Sequence, residues 1–170
     1  FSTDTSVIYF SSNKPGGFGG KDIYRIKKLP NGKWSMPQNV GPVINTDKDE
    51  DSPFLHPDGT TLYFSSKGHN TMGEYDVFKT ILNPETFSFS APENLGSPVN
   101  TVNNDIFFVL NANGTHGYYS SVKEETYGGS DIYMIDTRFG DNSENTQGPE
   151  LGNDEIEFLK DDFETFTFEA

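Results

Sequence analysis

Tyr63-Phe64-Ser65-Ser66, followed after a glycine-containing stretch by Asp76-Val77-Phe78, decides how this chain folds, because the same phrase occurs twice more. Tyr9-Phe10-Ser11-Ser12 with Asp22-Ile23-Tyr24 stands 54 residues earlier, and Tyr118-Tyr119-Ser120-Ser121 with Asp131-Ile132-Tyr133 stands 55 residues later. Other marks keep the register: Trp34, Pro37, Asn39, Gly41 and Asn45-Thr46 return as Phe89, Pro92, Asn94, Gly96 and Asn100-Thr101. Self-similarity at a fixed period is the signature of a repeat architecture, in which each copy is one supersecondary unit.

Within a copy the pattern is that of strands and hairpins. His56-Pro57-Asp58-Gly59 and Asn111-Ala112-Asn113-Gly114 carry the Asp-Gly and Asn-Gly pairs that tolerate positive φ in tight turns. Working outward from them, four strands are predicted in the central copy: Asp51 to His56, Thr60 to Ser66, Tyr75 to Leu82 and a weaker Thr86 to Ser90. Tyr, Phe, Ile, Val and Thr suit a pleated, half-buried surface. No stretch of the repeats carries a helical apolar period. Four strands in such a unit match one blade of a β-propeller, a fold of typically four to eight blades. The predicted fold class is therefore all-β: four-stranded antiparallel blades, about 54 residues each, forming a partial propeller or a fragment of a larger one. Three copies occupy residues 1–138, and the first is incomplete, since Phe1 aligns with Leu55.

Composition narrows the function classes. The chain has 26 acidic and 12 basic residues, a net charge of −14, which argues against nucleic acid because phosphate binding needs clustered Lys and Arg. Cys is absent, so no disulfide or thiolate metal site is available. No run of apolar residues is long enough for a transmembrane helix. After the repeats, residues 139–153 read as a linker rich in Asn, Ser, Gly and Pro, and residues 154–170 as an acidic aromatic tail. In that tail Ile156, Leu159, Phe163 and Phe166 fall at helical spacing, whereas Thr165-Phe166-Thr167-Phe168 alternates as a strand would.

Residues with reactive side chains are better read as structural. Asp22, Asp76 and Asp131 each follow a glycine-rich turn and open a strand, where a carboxylate accepts hydrogen bonds from backbone amides. Asp47, Asp49, Glu50 and Asp51 supply the oxygen ligands that calcium takes, but they lack the glycine and distal glutamate of an EF-hand, so a solvated loop is expected. His56, His69 and His116 are not at metal-ligand spacing. Ser65 and Ser66 recur without a nucleophile elbow, and Gly16 to Gly20 lacks the Lys of a phosphate loop and reads as a flexible turn. No catalytic residue, metal or cofactor is expected. Phe18, Met72 and Tyr127 occupy equivalent positions in the loop between second and third strands. They are the candidate partner-binding residues, because clustered exposed apolar groups mark interaction sites; packing between blades is the competing account.

These marks together, Tyr63-Phe64-Ser65-Ser66, the glycine-rich approach to Asp131-Ile132-Tyr133, Trp34 to Pro37 and the Asn-Leu-Gly and Asn-Thr pairs, resemble the TolB-like (WD40-like) propeller repeats of Bacteroidota cell-envelope proteins. Within that group the pattern is similar to proteins of the OmpA-family peptidoglycan-binding type, including the propeller lipoproteins of the type IX secretion and gliding machinery. The resemblance implies an exported, periplasmic scaffold associated with the outer membrane. Its partners would be outer-membrane or periplasmic proteins, with peptidoglycan held through a domain not in this chain. Two alternatives remain: the propeller of a hydrolase, marked by a pocket joining Asp49 or Asp105 to Trp34, and a carbohydrate-binding propeller.

Overall fold

The computed structural model describes residues 6–123 and 129–137, all within one compact unit, Phe1–Phe139. The linker and tail expected at 139–153 and 154–170 lie outside the described residues. Ten strands, and no α-helix among the described residues, make three antiparallel sheets. Sheet 1 contains β1 (Val7–Ser12), β2 (Asp22–Lys27) and β3 (Gln38–Asn39); sheet 2 contains β4 (Glu50–Leu55), β5 (Thr61–Ser66), β6 (Asp76–Ile81) and β7 (Glu93–Asn94). Sheet 3 contains β8 (Ile106–Leu110), β9 (His116–Ser121) and β10 (Asp131–Asp136). In every sheet neighbouring strands are also consecutive in sequence, the simplest antiparallel connection.

The hairpin turns form where Asp-Gly and Asn-Gly place them. Gly59 (φ 78°) donates to the His56 carbonyl at 3.0 Å, and Gly114 (φ 71°) donates to that of Asn111 at 2.9 Å. Register repeats as well: Phe10 faces Tyr24, Phe64 faces Phe78, and Tyr119 faces Tyr133. A bulge also recurs, between Asp51 and Phe54 and between Ile106 and Val109, with Ser52 (φ 52°) and Phe107 (φ 60°) taking the left-handed conformation.

The fourth strand departs from expectation. Residues 86–90 contribute only the bridge from Phe89 to Leu82, and the strand is instead Glu93–Asn94, paired with Lys79 and Phe78. The reason is a closed turn. Asn83 donates its amide to the Ser88 carbonyl and accepts that of Phe87, both at 2.8 Å, and Phe87 sits at φ 56°. The left-handed Phe87 closes that turn, after which Phe89 bridges to Leu82 and the ladder resumes at Glu93. Sheet 1 does the same, with Lys28 bridged to Trp34 before β3.

Two cores lie between the sheets. Tyr9, Ile23 and Ile44 from the sheet 1 copy pack with Leu55, Leu62, Phe64 and Phe78 of sheet 2. Tyr63, Val77 and Val99 then pack with Phe108 and Tyr119 of sheet 3. A central strand buried on both faces loses its polar-apolar alternation, which is why Leu62 to Ser66 is buried throughout.

Candidate functional site

The repeated aspartates close loops. Asp22 accepts the Phe18 amide at 2.7 Å, the Gly19 amide at 3.1 Å and the Asn39 side chain at 2.8 Å. Asp76 accepts the Met72 amide and the Asn94 side chain, each at 2.8 Å. Residues 124–128, the loop that precedes Asp131, lie outside the described residues. A second buried residue completes the clamp. Asn45 Oδ1 accepts the Ile23 amide at 2.7 Å, and its Nδ2 donates to the Ile23 carbonyl at 2.9 Å and to Asn39 Oδ1 at 2.8 Å. Asn100 makes the same three bonds to Val77 and Asn94, at 2.7, 2.9 and 2.7 Å. The Asn-x-Gly and Asn-Thr marks are thus one device, which ties the loop after each short strand to the start of β2 or β6.

The acidic cluster splits into four environments, and the expectation of a solvated loop fails for Glu50. Glu50 is fully buried and accepts the Thr46 amide, the Thr46 hydroxyl and the Ser66 hydroxyl at 2.7–2.8 Å. Burial pushes its carboxyl above the usual range, although the bonds from Thr46 and Ser66 oppose this. Asp105 repeats the arrangement by accepting the Thr101 amide at 2.6 Å. Asp49 takes the Lys21 amide at 2.8 Å, and Asp51 takes the Lys21 ammonium at 2.7 Å and the Ser11 hydroxyl at 2.6 Å. Asp47 stands in solvent beside Lys48. Among the described residues no three His, Asp or Glu side chains are grouped to hold a metal ion. Burial first, and then the charges of Asp49, Asp51 and Glu50, raise the nearby Tyr75 phenol to about 12.

The histidines are occupied locally. His56 Nε2 contacts the Asn111 carbonyl at 3.1 Å and His69 Nε2 the Ile44 carbonyl at 2.9 Å, so each of these nitrogens must carry the proton. His116 lies 2.8 Å from the Thr115 hydroxyl. Of the residues that would mark a hydrolase pocket, Asp49 or Asp105 with Trp34, Asp49 accepts the Lys21 amide and Asp105 the Thr101 amide, while Trp34, bridged through its backbone to Lys28, is 40% exposed. Within the Gly16 to Gly20 stretch, Gly17, Gly19 and Gly20 lie close against Asp22, Lys48 and Asp49. A Cβ on Gly19 would sit 1.7 Å from the Lys48 carbonyl oxygen, so glycine is required for loop to meet loop.

Of the candidate partner-binding residues, Phe18 and Met72 are both 51% exposed. Their backbone amides donate to equivalent aspartates, which places the two residues at matching positions in the loops before β2 and β6. Tyr127 lies outside the described residues.

One feature escaped the sequence reading. A cleft of about 250 Å³ between sheets 1 and 2 is lined by Tyr9, Arg25, Lys27, Leu55, Leu82 and Phe87. Lys27 Nζ stands 3.5 Å from the centre of the Phe87 ring and the Arg25 guanidinium carbon 5.4 Å from it. Burial first, then the Arg25 charge, lowers the Lys27 pKa. Arg25 Nε and Nη1 are closed from solvent and have no hydrogen-bond partner among the described residues. The only sequence signal is a break in the repeat, Arg25 and Lys27 standing where the other copies have Lys79 and Ile81, then Met134 and Asp136.

No helix among the described residues is long and apolar enough to cross a membrane. Comparison with protein-family models finds no match, and no curated protein matches the chain.

Proposed function

We propose that the three sheets are blades of a TolB-like β-propeller and that the chain is a non-enzymatic, protein-binding scaffold module. Its setting is the cell envelope: periplasmic, outer-membrane associated, and linked to type IX secretion and peptidoglycan anchoring. One observation carries this reading. Phe18 and Met72 stand at equivalent loop positions, each about half exposed, whereas the carboxylates that recur nearby and the His69 imidazole are hydrogen-bonded within the loops. Large apolar side chains held outward by a rigid clamp suit a protein surface.

The test is isolation of the intact native protein from the envelope under mild conditions, with identification of its companions by mass spectrometry. A stable complex with outer-membrane or secretion proteins is expected. An unaccompanied chain carrying a hydrolase domain would contradict the reading.

A further inference from the structure

Sheets 1 and 2 carry one cross-strand pair in two forms. In sheet 2, Lys79 of β6 faces Glu93 of β7, and its Nζ stands 3.3 Å from the Glu93 carboxylate. In sheet 1 the equivalent residues are Arg25 of β2 and Gln38 of β3, which face each other in the same register. The cation is kept and its acid is replaced by a neutral amide. No other carboxylate takes that role: among the described residues neither Arg25 nor Lys27 makes an ion pair, in a chain where acids outnumber bases 26 to 12.

Arg25 and Lys27, two residues apart and so on one face of β2, both line the cleft of about 250 Å³ between sheets 1 and 2. Arg25 Nε and Nη1 are donors closed from solvent, with no acceptor among the described residues. Hydrogen bonds between ionised partners are roughly twice as strong as neutral ones, so an anion is the acceptor that suits them best. Burial first, and then the Arg25 charge, lowers the Lys27 pKa, and a negative charge beside the two cations relieves their repulsion. The chain as a whole carries −14, so an anion is held here by this local pair and not by the field of the molecule.

The walls decide what else the ligand carries. Val7, Leu55, Leu82, Pro84 and Phe87 surround the two charges together with the Tyr9 ring. Small-molecule sites commonly enclose roughly 300–1,000 Å³, and this cleft, at about 250 Å³, has room for a single side-chain-sized group. A planar guanidinium matches a planar carboxylate, whereas apolar walls do not replace the hydration of a phosphate dianion.

We propose that the cleft binds a carboxylate carried on a short apolar body, Arg25 and Lys27 holding the anion and Leu55, Leu82 and Phe87 the body. The carboxy terminus of a peptide with an apolar last residue and a free small carboxylic acid share that chemistry. The inference rests on a break in the repeat and is independent of the envelope-scaffold reading.

Calorimetric titration of the 170-residue chain with phenylacetate tests it. Saturable one-to-one binding is expected, with uncharged phenylacetamide weaker by about tenfold or more, the worth of a hydrogen bond to a charged group. Arg25→Met introduces the residue that stands there in sheet 3, and Gln38→Glu restores the acid that sheet 2 uses. Each is expected to weaken phenylacetate binding by about tenfold or more, the first by removing the donors and the second by engaging them within the sheet. Lys79→Met, outside the cleft, is expected to leave binding unchanged. Thermal melts establish that each variant is folded, and Gln38→Glu, at an exposed position of β3, keeps the test valid if Arg25→Met does not fold. The peptide Gly-Gly-Leu is titrated with its carboxy terminus free and amidated. Binding of the free form at least as tight as phenylacetate, lost on amidation, identifies a peptide end as the source; phenylacetate bound without the peptide identifies a free acid; both uphold the site. Absence of saturable binding by either carboxylate, equal binding of the uncharged amide, preference for inorganic phosphate, or undiminished affinity in either folded cleft variant overturns the proposal.

Discussion

Asn45 and Asn100 show what a single residue does in this fold. Each is buried and satisfies both the amide and the carbonyl of a strand residue. Asn45→Ala would orphan the Ile23 amide and carbonyl, and a buried polar group left unpaired costs about 1–3 kcal/mol. We expect Asn45→Ala and Asn100→Ala each to lose about 2–4 kcal/mol in urea unfolding on that basis, whereas Asn70→Ala, on an exposed loop, should change little. Asp58 predicts a pH effect. Burial opposes its ionisation, but hydrogen bonds from the Thr61 hydroxyl, the Thr61 and Thr60 amides and His56 outweigh that and hold its carboxyl well below 3.8. A depressed carboxylate stabilises the fold above its unfolded value, and this contribution disappears as pH falls through 3.8 toward the folded value. Thermal melts of Asp58→Asn should therefore lose less stability than the wild type between neutral pH and strong acid; parallel curves would refute the assignment. The role of Asp22 and Asp76 was legible, since glycine followed by Asp at a strand start is a loop-closing pattern. The burial of Glu50 was not, because nothing in a run of four acids distinguishes the one that turns inward toward Thr46.

At the scale of strands and sheets, three of the four strand positions in the central copy followed from alternation and turn residues, with ends displaced by about one residue, as is usual for element boundaries. The fourth did not, because Phe87 takes a left-handed conformation where the first copy has Gly32 (φ 78°). A phenylalanine gives no such signal in a sequence. The same loop sets its ring over Lys27 and Arg25, so the misplaced strand and the overlooked cleft have one origin. Sheet packing makes a paired prediction about aromatics that look alike in sequence. Phe64→Ala opens the core between sheets 1 and 2 and should cost about 3–5 kcal/mol. Tyr118→Ala, at an exposed position of β9, should cost less than about 1 kcal/mol in the isolated chain. Equal losses in denaturant unfolding would contradict the assignment of faces.

For the molecule as a whole, repetition accounts for the three sheets and for the structural use of the recurring carboxylates among the described residues. A side chain used in every copy is used for what every copy needs: closing the loop before β2 and β6, clamping the segments after β3 and β7, and seating one sheet on the next. Phe18 and Met72 recur as well, yet stand half in solvent outside these three tasks, which suits the partner-binding role proposed for them. The most direct measurement is therefore to isolate the tagged native protein and its Phe18→Ser, Met72→Ser variant side by side from the envelope, comparing co-isolated proteins and melting temperatures. The scaffold account predicts that the variant loses its partners while its melting temperature stays that of the wild type. Partners retained in full, or a variant that loses its fold because these side chains serve packing between sheets, would contradict it.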